Sequence, residues 1–192
     1  MISAIVLAAG ASKRMGEPKM IMPWGKSTVL QTVISTLQAS SVNDIIVVTG
    51  GARQQVETLV GKTVQTIFNT EYEKSEMLSS IQLGLSVKMH EASAALICLG
   101  DQPQIKERTV RSVYEAFLKN KAQIVVPSYE MQRGHPWLVA RPLWDELLEM
   151  KSPHTPREFL KKHARKIQYV IVDTPSIIED IDTPEDYLKH KP

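Results

Sequence analysis

The chain has 192 residues, 43% hydrophobic and 23% charged, which fits one globular domain with a full-sized core and excludes disordered and fibrous classes. Its 23 basic and 21 acidic side chains leave a formal charge of +2, too near balance for a nucleic-acid polymer as partner, so any phosphate binding has to be local. No apolar run approaches the ~20 residues that cross a bilayer, and residues 5–9 lack the flanks of a signal peptide; no membrane contact is expected, and the expected compartment is cytoplasmic. The one cysteine, Cys98, cannot close an intramolecular disulfide and reads as a buried strand residue.

The first β-rich run covers residues 4–8 and leads into Leu7-Ala8-Ala9-Gly10-Ala11-Ser12-Lys13-Arg14-Met15-Gly16-Glu17-Pro18-Lys19. Gly10 and Gly16 open backbone angles closed to other residues, and small Ala9, Ala11 and Ser12 keep the space clear. Successive N–H groups in such a loop form a nest for phosphate oxygens. Arg14 can grip two oxygens at once, while Lys19 acts as a point charge. A solvated basic turn is the plain alternative. No G-x-G-x-x-G follows the strand. Val56 and Met20 stand where a Walker loop before Gly61-Lys62-Thr63 or Gly25-Lys26-Ser27 would need its first glycine, so neither motif is present.

Helical spacing over residues 28–37, 54–60, 78–89 and 109–118 alternates with apolar runs at 45–49, 64–68, 94–99 and 124–127. That βαβα order predicts a single α/β domain spanning residues 1–192, a Rossmann-like three-layer α/β/α sandwich with a mostly parallel sheet. In such a sheet ligands bind beyond the carboxyl ends of the strands. Asp101, in Leu99-Gly100-Asp101-Gln102-Pro103, stands at such an end. It is either a carboxylate for Mg²⁺ or a turn aspartate. After a turn-rich stretch at 128–136 and a short apolar run at 137–140 come two helix candidates. The second opens on Thr155-Pro156-Arg157-Glu158, a hydroxyl cap, a first-turn proline and a capping-box glutamate. A last strand is expected at 169–172. Thr183-Pro184-Glu185-Asp186 then opens a final helix, with Asp182 either a second carboxylate of the site or a helix-start residue. The histidines other than His135 lack zinc-ligand spacing.

The run L-A-A-G-x-S-x-R-M-G-x-P-K resembles the signature of the nucleotide-diphospho-sugar transferase superfamily, which includes sugar-phosphate, methylerythritol-phosphate and molybdenum-cofactor nucleotidyltransferases. Gly100-Asp101-Gln102-Pro103 is similar to its metal-holding G-D-x-P element, and Asp182 lies in a string resembling its closing motif. Asn69 begins a segment resembling the one that passes the base and ribose, though Glu76 stands at a usual glycine; Ser79 and Ser80 either meet the nucleotide or cap the next helix. Arg133-Gly134-His135-Pro136 resembles the R-x-G-H-P turn of the molybdenum-cofactor branch, although a lone histidine is often structural.

The resemblance implies transfer of a nucleotide from an NTP to the phosphate of molybdopterin, with release of pyrophosphate. The L-A-A-G form of the loop looks like the cytidylyltransferases of that branch, so Ala9 favours CTP. Catalysis would fall to Arg14, Lys19 and Asp101. Leu7, Ala8, Ala9, Gly10, Arg14, Gly16, Lys19, Asn69, Ser79 and Ser80 would bind the nucleotide. Arg133, Gly134 and His135 would bind the acceptor, and Mg²⁺ would sit on Asp101 and Asp182, with Asp180 in reserve. Alternatives of the same fold are a guanylyl or sugar-phosphate transferase, or an accessory protein delivering the cofactor to a molybdenum hydroxylase, which is also the implied protein partner.

Overall fold

The computed structural model describes every residue except 75, 76, 89 and 91, so the expectation about Glu76 lies outside the described residues. The strands are β1 (Ile2–Ala8), β2 (Pro23–Trp24), β3 (Ser27–Thr28), β4 (Ile45–Thr49), β5 (Gln65–Phe68), β6 (Ala94–Leu99), β7 (Ile124–Tyr129), β8 (Gln132–Arg133), β9 (Trp137–Ala140) and β10 (Ile167–Ile171). The helices are α1 (Val29–Ala39), α2 (Arg53–Val60), α3 (Met77–Lys88), α4 (Glu107–Asn120), α5 (Trp144–Glu149), α6 (Pro156–Lys162) and α7 (Pro184–His190).

The main sheet runs β10-β7-β9-β6-β1-β4-β5, with β8 paired to β7. β1 pairs parallel with both β4 and β6, β4 with β5, and β7 with β10. β9 lies antiparallel between β6 and β7. The sequence marks residues 137–140 only as an apolar run. Here they form a wholly buried strand that separates β6 from β7, its successor in the βαβ series. Strand order is set by packing across the sheet, and no local pattern encodes it.

Side-chain alternation divides the core into two layers. Ala4, Val6 and Ala8 of β1 face Leu30, Val33 and Leu37 of α1 and Val110 and Val113 of α4. Ile5 and Leu7 face Ile81 and Leu85 of α3, Trp144 and Leu147 of α5 and Phe159 of α6. Strands covered on both sides are apolar throughout, and β1 and β4 are buried at every position. The two edges depart from that expectation. β5 is only partly buried, and β10 alternates, leaving Tyr169 and Ile171 exposed. Cys98 is buried in the first layer, as its run predicts. Both cap signals form full capping boxes, Thr155 with Glu158 and Thr183 with Asp186.

A third, smaller cluster joins distant parts of the chain. Met15, from the loop after β1, packs with Met22, Trp24 and Val29, and with Ile181 and Tyr187 at and just before α7. The Tyr187 hydroxyl donates to the Pro23 carbonyl at 2.6 Å. The last helix therefore braces the first loop.

Candidate functional site

The carboxyl ends of β1, β4 and β6 open into one crevice. Its larger part, about 650 Å³, is lined by Gly10–Lys13 and Gly16–Pro18, by Gly51 and Ala52 after β4, and by Tyr72 and Glu73. A smaller cavity of about 190 Å³ shares Gly10 and Tyr72 and reaches Leu7, Ala9, Lys19, Ser80 and Asp101. The loop is shaped by Ser12, in the left-handed region with φ 49°, whose carbonyl accepts from the N–H groups of Met15 and Gly16. The Ser12 hydroxyl accepts from the Lys19 N–H at 3.2 Å. A Cβ on Gly10 would meet nothing within 4 Å, so the space beside it is free for a ligand.

Beyond the loop, charge is concentrated in one constellation. The Lys19 ammonium contacts an Asp101 carboxylate oxygen and lies 2.9 Å from Asp182 Oδ1. The Arg14 guanidinium holds the other oxygen, Asp182 Oδ2, at 2.8 Å. Burial works against the Lys19 ammonium, but Asp101 and Asp182 outweigh it and raise its pKa. Asp182 shows the complement: burial would raise its carboxyl, yet Lys19 and Arg14 hold it below its ordinary value. Asp180 turns to Gln102, whose Nε2 donates to its Oδ1 at 2.7 Å. Burial first, and the nearby Asp101 charge second, push the Asp180 carboxyl up to about 6. The Ile181 N–H donates to the Asp101 carbonyl, fixing the closing segment against the end of β6. Among the described residues no group of three or more His, Cys, Asp or Glu is gathered for a metal; the two carboxylates sharing Lys19 are what the site offers a cation.

Asn69 is buried with its hydrogen-bonding capacity turned inward. Its Nδ2 donates to the Ser79 and Ser80 hydroxyls at 3.0 and 2.9 Å, and its Oδ1 accepts from the Glu71 N–H. That geometry fastens the end of β5 to the start of α3, while Ser80 also faces the smaller cavity. In the turn expected to meet an acceptor, the Arg133 guanidinium lies over the Tyr169 ring at the sheet edge, 5.5 Å from its centroid. Gly134 and His135 sit beneath Ile177: the His135 N–H donates to the Ile177 carbonyl, which also accepts from Gln102 Nε2. His135 Nε2 is covered and has no partner among the described residues, and burial, aided by the Arg157 charge, pushes its pKa down to about 4. The 133–136 turn is thus joined to the Asp101 loop through a shared carbonyl, while the Arg133 guanidinium and the neutral His135 imidazole make no contact with the Lys19 constellation among the described residues.

The MobA-like NTP transferase domain profile matches residues 4–167. The chain belongs to the MobA-like NTP transferase family. It is 30% identical to the molybdenum cofactor cytidylyltransferase of Escherichia coli K12, over 99% of this chain and 95% of that protein. It is 24% identical to the nicotine blue oxidoreductase of Paenarthrobacter nicotinovorans, over 96% and 93%. The crystal structure of Rv0371c from Mycobacterium tuberculosis H37Rv superposes with a TM-score of 0.85 at 25% identity, covering 98% of this chain and 96% of that one. The same mycobacterial protein has been solved as a complex with manganese. This MobA-like chain is accordingly a nucleotidyltransferase with a single-domain, mostly parallel α/β fold.

One part of this MobA-like site escapes sequence reasoning. Gly50 and Gly51 form the wall facing the loop: a Cβ on Gly50 would come within 2.1 Å of the Ala9 carbonyl oxygen, and one on Gly51 within 3.2 Å of Ala11 Cα. Tyr72 closes the same wall. Paired glycines at the carboxyl end of the second parallel strand are the signal that could have found them.

Proposed function

We propose that this nucleotidyltransferase moves CMP from CTP to the terminal phosphate of a molybdopterin-type cofactor and releases pyrophosphate. The observation that carries the reading is Lys19 bridging Asp101 and Asp182 beside an open glycine loop, in a chain whose molybdenum-cofactor relative matches almost end to end. An acceptor phosphate oxygen attacks the α-phosphorus in line, its bond forming as the bond to the bridging β-phosphate oxygen breaks. Arg14, Lys19 and the loop N–H groups stabilise charge on the transferring and leaving phosphates. Holding both substrates in one crevice supplies alignment, and no covalent enzyme intermediate is needed.

The site suits a hard divalent cation such as Mg²⁺. Two carboxylates already share one positive group, and such a cation completes its shell with water and substrate phosphates. When bound by Asp101 and Asp182, it supplies charge neutralisation at the reacting phosphates. Ala9, in the position where guanylyl enzymes carry glycine, favours cytidine. The tie between the turn of Arg133, Gly134 and His135 and the Asp101 loop, through the Ile177 carbonyl, supports an acceptor site there, and a molybdenum hydroxylase apoenzyme is the receiver that fits the product.

The test is pyrophosphate release with CTP, GTP or ATP and purified molybdopterin cofactor. Turnover is expected with CTP above the others. Preference for GTP overturns the base assignment, and turnover only with a sugar phosphate overturns the acceptor. Asp101→Ala should lose at least about a hundredfold in kcat while keeping a folded circular-dichroism spectrum; near-normal turnover removes Asp101 from the chemistry.

A further inference from the structure

In the Lys19 constellation the Asp101 and Asp182 carboxylates are paired with one ammonium and one guanidinium, while Asp180 is turned aside to Gln102. The ammonium occupies the point that both Asp101 and Asp182 address. A divalent cation on the same two carboxylates would face Lys19 at contact distance inside a covered cleft, where like charges repel more strongly than in water. The Lys19 side chain is only 10% exposed, so solvent screens little of that repulsion. Lys19 can yield the place. Its backbone is held by the Ser12 hydroxyl, independently of the ammonium, and its side chain borders the smaller cavity, which opens toward Gly10 and the loop. A four-carbon stem can swing its charge into that space without moving the loop.

We propose that Lys19 is an exchangeable counter-ion: it neutralises Asp101 and Asp182 until a metal–nucleotide complex arrives, then passes to the triphosphate as the cation takes the carboxylates. Arg14 makes the same transfer from Asp182. This rests on the metal assignment above and adds an order to it. Free divalent cation alone binds poorly, because it evicts Lys19 with no anion to receive it, whereas cation and nucleotide together give every charge a partner. Lys19 thus guards the site against metal loading in the absence of substrate.

The test uses Mn²⁺ as probe, with binding followed by electron paramagnetic resonance and calorimetry, with and without α,β-methylene-CTP. In the native chain, Mn²⁺ should bind at least about tenfold tighter with the analogue than without it. Equal affinity in both conditions overturns the exchange and needs no variant. Without nucleotide, Lys19→Met should bind Mn²⁺ at least about tenfold tighter than the native chain. Lys19→Arg, which keeps a cation in place, should not, and Asp101→Asn added to Lys19→Met should abolish the gain. If Lys19→Met gains nothing while native binding with the analogue still depends on Asp101, the exchange fails and the metal assignment survives. If Asp101→Asn changes Mn²⁺ binding in no condition, the metal assignment fails and the exchange with it.

Discussion

His135 keeps its imidazole neutral in a setting where the unfolded chain would not. Its folded pKa of about 4 lies below the ordinary 6.5, so the fold favours the form without the proton. The stability this contributes is complete above pH 6.5 and is lost as pH falls from 6.5 toward 4, because the unfolded state takes up the proton first. The loss is roughly 3 kcal/mol at most. His135→Gln should flatten the fall of the thermal midpoint across that window; an unaltered slope would assign the acid sensitivity to other groups. At Gly50 the constraint is steric. Gly50→Ala must displace both the Ala9 backbone and Tyr72, at a cost of about 1–3 kcal/mol, and should raise KM for CTP as well as lower the melting point. Chemistry-bearing residues were the more legible kind: Asp101 announces itself as a carboxylate at a strand end, and Arg14 and Lys19 as cations in a glycine loop. Lys19's burial between two carboxylates, the covering of His135 and the Gly50–Ala9 contact arise only when segments distant in sequence meet.

Among elements, the doubly covered strands and the capped helices were legible because their cause is local: an unbroken apolar run, or a hydroxyl followed by proline and an acid three residues on. The inserted β9 and the exposed edge β10 were not, since a short apolar run reads the same wherever the sheet seats it. Thr183→Ala removes the acceptor for the Asp186 N–H and should cost α7 about 1 kcal/mol, with CTP affinity falling in parallel because Asp182 adjoins that cap. The amino end of the sheet offers a control. Lys88, buried at the end of α3, lies 2.6 Å from Asp44 Oδ1, and the Ser3 hydroxyl also donates to Asp44. Asp44→Ala removes the contacts to Lys88 and to the Ser3 hydroxyl and should cost about 1–3 kcal/mol in a urea titration while leaving kcat unchanged. A drop in kcat without one in stability would contradict the separation of the two ends.

At the scale of the whole molecule, the two walls of the crevice are made by different kinds of contact. One is the glycine-lined backbone of β1 and β4, set by parallel pairing. The other is the closing segment from Ile177 to α7, held to the first by the Ile181 N–H, by Gln102 and by the cluster around Met15. Arg14 and Asp182 stand 168 positions apart, and Lys19 and Asp182 163. During synthesis the cationic loop therefore leaves the ribosome long before its brace exists. Until residue 182 is made Lys19 has at most half of its anionic pair, and until residue 187 is made Met15 has no Tyr187 to pack on. A chain cut back to before α7 would keep every strand of the sheet and lose the brace on its first loop, so the loop's rigidity is set by the far end of the sequence and not by the strand it leaves.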